Sequence, residues 1–224
     1  MANLLITGTD TEVGKTVLTT CLVAYWEKYR SLDKLGLMKL VQTGIGDREL
    51  YQQLFSLSQS PEEVAPLCFD TPVAPPIAAA REGKEVDLAK VWQNFNHLQQ
   101  QRDLVIVEAL GGLGSPVTSE LVVADLARDW GLSTVLVVPV KLGAIAQTVA
   151  NVALAKQFGV HLKGIVLNCR ESGTEEKLAD WTPIDLIQSL TNLPVLGLLP
   201  HLADPQAKDK LVQVAANLEL EYLI

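Results

Sequence analysis

Gly8-Thr-Asp-Thr-Glu-Val-Gly-Lys-Thr16 decides the fold of this chain. It follows a short apolar run, Asn3 to Thr7, and precedes Lys15 to Tyr29, a stretch with helical patterning. A glycine-bounded turn between a strand end and a helix start is the context that a phosphate-binding loop requires. Glycine lets the backbone curl without a Cβ clash, so successive amide N–H groups and the helix N-terminus point inward at anionic oxygens. Lys15 supplies a mobile positive charge for the β and γ phosphates, and Thr16 offers a hydroxyl to Mg²⁺. Five residues stand between Gly8 and Gly14, one more than in the common pattern. Strand, loop and helix nevertheless fall in register around the motif, which favours nucleotide binding over a Gly-Lys-Thr that merely opens an amphipathic helix.

Outward from the loop, aliphatic and β-branched runs alternate with helix-like segments. The strands expected are Asn3 to Thr7, Leu35 to Val41, Leu104 to Val107, Thr134 to Val138, Leu162 to Leu167 and Val195 to Leu199. Several are apolar on both faces, as central strands of a sheet covered by helices on both sides must be. The helices expected are Lys15 to Tyr29, Leu88 to Gln101 behind an Asp87 cap, Val122 to Trp130 before Gly131, and Ile145 to Phe158 before Gly159. Two more are expected to start at Thr182-Pro183 and Asp204-Pro205. Ser60 to Pro76 holds five of the eleven prolines and reads as an ordered surface excursion. The expectation is an α/β fold, doubly wound, with a mainly parallel sheet and helices on both faces, as one domain over residues 1–224.

Composition narrows the function classes. A chain of 224 residues with 48% hydrophobic and 20% charged residues is globular, and a net charge of −8 argues against coating nucleic acid or an anionic membrane. Any anionic ligand must be held by a local device. Cys21, Cys68 and Cys169 match no metal-ligand spacing and read as reduced thiols. The N-terminus has no secretory signal and no run is long enough to span a bilayer, so a cytoplasmic protein is expected.

Two further segments carry chemistry. Leu104-Val-Ile-Val-Glu108, followed by Gly111, Gly112 and Gly114, delivers a carboxylate at the carboxyl end of a strand, the edge at which open α/β sheets bind ligands. A Mg²⁺ on nucleotide phosphates takes one or two such carboxylates, which makes Glu108 a candidate ligand. Met38-Lys-Leu-Val-Gln-Thr-Gly44 ends a strand with Lys39, and Asp47 follows soon after. Lys39 there is suited to neutralising a phosphoryl group in transfer and Asp47 to completing a metal site, but a surface lysine and a helix-capping aspartate fit the pattern equally well.

GTDTEVGKT, KLVQTG, VEALGGLGSP and VKLGAI together resemble dethiobiotin synthetase, in order and over essentially the whole chain. That resemblance implies a homodimeric P-loop enzyme which joins 7,8-diaminononanoate and CO₂ (or bicarbonate) into a cyclic urea at the expense of ATP, with Mg²⁺. It implies that Glu12, Val13, Gly14, Lys15, Thr16 and Val17 wrap the phosphates, with Gly111 nearby, and that Thr16, Asp47 and Glu108 hold the metal. Lys39 and Lys15 are then catalytic, and Thr11, Lys39 and Thr43 meet the substrate. Asn168 reads adenine beside Pro200, His201 and Leu202, while Leu142 and Gly143 open the helix that meets the substrate carboxylate across the dimer. Three departures stand out: Ala109 replaces the first glycine of EGAGG or EGLGG, Leu40 replaces a proline, and Ala146 replaces the asparagine of KLGxIN. Cys169 follows Asn168 where an aspartate is frequent. The competing reading is a nucleotide-switch ATPase of the partitioning type. Those proteins carry an extra lysine early in the loop, where this chain has Asp10, and its Leu218 to Ile224 ending is acidic and not basic.

Overall fold

A computed structural model describes residues 2–224 of the chain. In chain order the elements are β1 (Ala2–Gly8), α1 (Lys15–Tyr29), β2 (Leu35–Lys39), β3 (Gln42–Thr43), α2 (Asp47–Leu54), α3 (Pro61–Val64), β4 (Cys68–Phe69), α4 (Pro75–Arg81), α5 (Leu88–Gln101) and β5 (Leu104–Gly112). They continue with α6 (Val123–Asp129), β6 (Thr134–Pro139), α7 (Ala144–Phe158), β7 (Leu162–Asn168), α8 (Leu178–Trp181), α9 (Ile184–Thr191), β8 (Val195–Leu199), α10 (Lys208–Ala216) and α11 (Leu220–Leu223). Six strands form one parallel sheet in the order β2-β5-β1-β6-β7-β8. β3 and β4 form a separate parallel pair.

The two-faced apolar strands explain the layering. In β1, Leu4 and Ile6 join the core under α1 and α10, while Leu5 joins the core under α4, α5 and α6. β5 alternates in the same way, Leu104 and Ile106 to one side and Val105, Val107 and Ala109 to the other. Alternation follows from the pleat, and each strand therefore needs a helix on both faces. From β1 the chain runs to β2 on one side; from β5 it crosses β1 to reach β6 on the other. The reversal puts the carboxyl ends of β1 and β5 at a switch point, where the crevice of an open α/β sheet lies.

All six expected sheet strands form, with adjusted ends. β2 stops at Lys39 instead of Val41, because the chain bends there and Gln42–Thr43 pairs with β4. β5 runs on past Val107 to Gly112, its extra length pairing with β1 at Gly8. α1 and α5 have the expected bounds, and α6 is one residue shorter at each end. The helix expected at Asp204-Pro205 starts later, at Lys208: the Asp204 carboxylate accepts from Gln206 N–H at 2.9 Å and closes a turn of its own. The other expected start, Thr182-Pro183, gives a helix from Ile184. Ser60 to Pro76 is ordered as expected, with Ser60 capping α3 and Val64 and Phe69 buried.

Both outer strands of the sheet are held from the side. The Gln59 carboxamide accepts from Leu37 N–H at 2.7 Å and donates to Leu37 C=O at 3.0 Å, covering β2. On β8, Gln188 accepts from Val195 N–H at 2.9 Å and Glu219 N–H donates to Leu196 C=O at 2.8 Å.

Candidate active site

The loop after β1 turns on two residues in the left-handed region, Glu12 at φ 54° and Gly14 at φ 107°. Asp10 steadies it by accepting from Thr11 N–H at 2.7 Å, and Thr7 Oγ1 donates to Gly111 C=O at 3.2 Å. Asn168, at the end of β7, donates to Val13 C=O at 2.8 Å and packs against Gly14, where a Cβ would lie 1.9 Å from its Nδ2. Glycine is required there by space and by φ together. Lys15, first residue of α1, is buried and donates to Asp10 C=O at 3.0 Å. Burial lowers its ammonium to about 8, with the charge of Lys39 acting in the same direction.

Lys39 at the carboxyl end of β2 meets Asp47 at the start of α2 and Glu108, which lies within β5 and not at its end as expected, because the strand runs on to Gly112. Register pairs Lys39 with Glu108 directly. The Lys39 ammonium lies 2.5 Å from Asp47 Oδ2 and 2.8 Å from Glu108 Oε1, and donates to Ala109 C=O at 3.2 Å. Its three protons are thus all committed. Burial would lower Lys39, but Glu108 and Asp47 outweigh it and hold the ammonium above its ordinary value. Asp47 shows the converse: burial would raise its carboxyl, and Lys39 draws it below the ordinary range.

Glu108 has no solvent exposure, and a buried carboxylate needs both a countercharge and filled hydrogen-bond positions. Thr16 and Lys39 serve Oε1, while Thr19 at 2.7 Å and the Tyr51 hydroxyl serve Oε2. Burial first, then the charge of Glu108, pushes the Tyr51 phenol well above its ordinary value, so it remains a neutral donor. Sequence reading missed Thr19 and Tyr51. Each sits four residues beyond a predicted site residue, Lys15 and Asp47, hence one helical turn along the same face.

Thr16 Oγ1 is 3.0 Å from both Asp47 Oδ1 and Glu108 Oε1. A hydroxyl has one proton, so only one of these contacts is a hydrogen bond at a time. Three converging oxygens short of a proton form a hard donor set that fits Mg²⁺. The set has two carboxylates, and among the described residues no group of three or more His, Cys, Asp or Glu gathers to hold a metal, here or elsewhere.

Two hollows meet at the loop. A cleft of about 300 Å³ is lined by Thr11, Lys15, Thr16, Lys39, Thr43, Asp47, Glu108 and Leu110, with Glu12 and Gly14 at its border. A cavity of about 320 Å³ continues past Glu12, Gly14, Thr16 and Val17 to Asn168, Pro200, His201 and Leu202, and adds Cys169, Arg170 and Pro205 to the expected set. Val13 is buried and takes part through its carbonyl, and Gly111 lies beside Thr11 without lining either hollow. Leu142 and Gly143 stand apart at the start of α7, on an apolar groove of about 640 Å³ with Val149, Trp181 and Leu190. Leu142 is 80% exposed.

The other side chains keep structural work. The cysteines are free, with Cys21 and Cys169 buried. Trp26 is buried, Trp130 stacks on Phe95, and Trp92 packs against Phe95 at a tilt. No helix among the described residues is long and apolar enough to cross a membrane.

A parallel sheet whose first strand feeds a glycine-bounded anion loop, with lysine and threonine at the next helix start, defines a P-loop nucleotide-binding protein. A family model described as an AAA domain matches residues 2–208. A protein of Gloeothece citriformis described as ATP-dependent dethiobiotin synthetase BioD is 64% identical over 224 residues, covering 100% of this chain and 99% of that one. One of Crocosphaera subtropica with the same description is 56% identical, with 100% of both covered. The chain belongs to the ATP-dependent dethiobiotin synthetase family. The Pyrococcus furiosus cell division ATPase MinD superposes over 100% of both chains with a TM-score of 0.60 at 16% identity, a likeness of fold alone.

Proposed function

We propose that the chain carboxylates and closes 7,8-diaminononanoate with CO₂ to dethiobiotin in biotin biosynthesis, converting ATP to ADP and phosphate. It would work as one P-loop domain in a cytoplasmic homodimer. The observation that carries the reading is the cluster Lys39–Asp47–Glu108–Thr16 facing Lys15 across one cleft. Charge neutralisation, and no side-chain nucleophile, is what this chemistry asks of a protein.

One substrate amine adds CO₂ and loses a proton to give a carbamate. Its oxygen attacks the γ-phosphorus and ADP leaves. The neighbouring amine then attacks the carbamoyl carbon, phosphate departs, and the ring closes. That last step is intramolecular, and effective molarities of roughly 10⁵ to 10⁸ M mean that positioning supplies much of the rate. In this reading the amides of Glu12 to Val17 hold the phosphates, with Gly111 bracing the loop. Lys15 follows the γ-phosphoryl charge, while Thr11 and Thr43 orient the diamine. Lys39 must give up at least one of its three partners to touch the transferring group. A Mg²⁺ held by Thr16, Asp47 and Glu108 would neutralise the phosphates and take over the two carboxylates that now engage Lys39. Adenine would lie by Asn168, Pro200, His201 and Leu202. Leu142 and Gly143 of one protomer would reach the substrate carboxylate of the other, and their exposed apolar groove suits a surface that a partner protomer covers.

With Mg²⁺ and ATP, phosphate release should require both the diamine and bicarbonate. Release indifferent to the diamine but stimulated by lipid or DNA would favour a nucleotide switch instead. Lys15 adds a second expectation. Its ammonium is lowered to about 8 by burial, and bound phosphates raise it again, so nucleotide binding takes up protons. Near pH 8 uptake should approach about half a proton and fall toward zero near pH 6, where Lys15 is already charged. ATP affinity should accordingly weaken as pH rises above that value. Calorimetry in buffers of different ionisation enthalpy measures the uptake; the same enthalpy in every buffer at pH 8 would refute it.

A further inference from the structure

Among the described residues, the wall of the 320 Å³ cavity carries one guanidinium, Arg170, and the reaction as derived leaves it unused. Its facing carboxylate is Glu12, whose Oε2 lies 3.9 Å from Arg170 Nη2. The two side chains are 51% and 83% exposed, and an ion pair this open and this long contributes little to stability. It is a partner that Arg170 gives up cheaply.

The backbone beneath Arg170 is fixed. Cys169 N–H donates to Leu199 C=O at 2.9 Å, the Arg170 carbonyl is 2.9 Å from His201 Nδ1, and His201 N–H donates to Glu175 Oε1 at 2.7 Å. The rim that joins the end of β7 to the segment after β8 is therefore built before any ligand arrives, and only the arginine side chain must move. Arg170 lines the cavity of Asn168, Pro200 and Leu202 but not the cleft that holds Lys15 and Lys39. Glu12 borders both. Phosphates are thus served by the lysine end, and Arg170 stands at the other.

We propose that Arg170 is a nucleotide-binding residue: it leaves Glu12 and lays its guanidinium over the base and ribose, closing the mouth of the cavity. A guanidinium is planar and weakly hydrated, and it stacks on π faces where an ammonium does not lie flat. A purine offers such a face, and the weak pair with Glu12 does not compete with it. The inference rests on the reading that this cavity takes the base.

The test is titration of ATP, ADP and inorganic tripolyphosphate, with Mg²⁺, against the full-length protein and three variants. Arg170→Ala should weaken ATP and ADP by about tenfold and leave tripolyphosphate unchanged, and Arg170→Lys should recover only part of the loss. Wild-type affinity for ATP in Arg170→Ala, or an equal loss for tripolyphosphate, overturns the assignment. Leu202→Trp, which fills the cavity, separates the two readings. If it weakens ADP while Arg170→Ala does not, only the arginine assignment falls; if neither variant affects ADP, the base does not bind in this cavity.

Discussion

Lys39→Ala is expected to reduce turnover by about a thousandfold or more, the scale on which removal of a preorganised charge acts in a dry site. It should also destabilise the protein. Seen in sequence alone, Lys39 could be removed without cost to the fold, but its ammonium is buried between Asp47 and Glu108, and Glu108 has no exposure. Deleting one member of a buried ion cluster leaves an uncompensated charge, at about 3–5 kcal/mol. The two losses separate experimentally. Mg²⁺ should restore part of the melting temperature of the variant, since it offers the carboxylates another cation, but not its turnover at saturating ATP and diamine. Near-normal rates would remove Lys39 from the catalytic residues.

Gly14→Ala should abolish nucleotide binding at accessible concentrations, a loss of at least about a hundredfold. The added methyl would lie 1.9 Å from Asn168 Nδ2 and 2.7 Å from its Cγ, at a φ of 107°. Backbone strain alone costs about 1–2 kcal/mol. The clash falls on the carboxamide that bonds Val13, so relieving it must move the loop or break that bond. Gly131→Ala is the control: it has positive φ and open space around the Cβ position, far from the site in the chain. It should show the strain in its melting temperature while ATP titrations stay at wild-type values. Equal ATP affinity in both variants would mean that Gly14 acts through stability only.

The sheet was legible because its strands are apolar on both faces, a pattern that few other structures explain. The loop was legible because glycine, lysine and threonine stood at a strand-to-helix junction. α2 was not, since Asp47-Arg-Glu-Leu-Tyr-Gln-Gln-Leu54 is mostly polar and is framed by side chains distant from its own pattern. Gln42 accepts from Arg48 N–H and donates to Glu49, and Glu49 accepts from Gly46 N–H at the helix start. Without that helix Tyr51 had no visible route to Glu108, which is 57 positions away. Pattern also left Lys39 and Asp47 undecided between surface roles and chemistry. Strand register removes the surface reading for Lys39, by setting it beside the buried Glu108. Leu142 and Gly143 stay outside the cleft, on the apolar groove at the start of α7.

Gln59 has a wider effect than its two bonds to Leu37. An outermost strand offers unpaired amides and carbonyls to any passing extended segment, the usual beginning of sheet growth between molecules. By engaging both polar groups of Leu37, the carboxamide imitates a neighbouring strand one residue long and leaves nothing there to template on. Gln188 and Glu219 do the same at the opposite margin. A sheet so rich in valine, leucine and isoleucine thereby stays finite in a crowded solution.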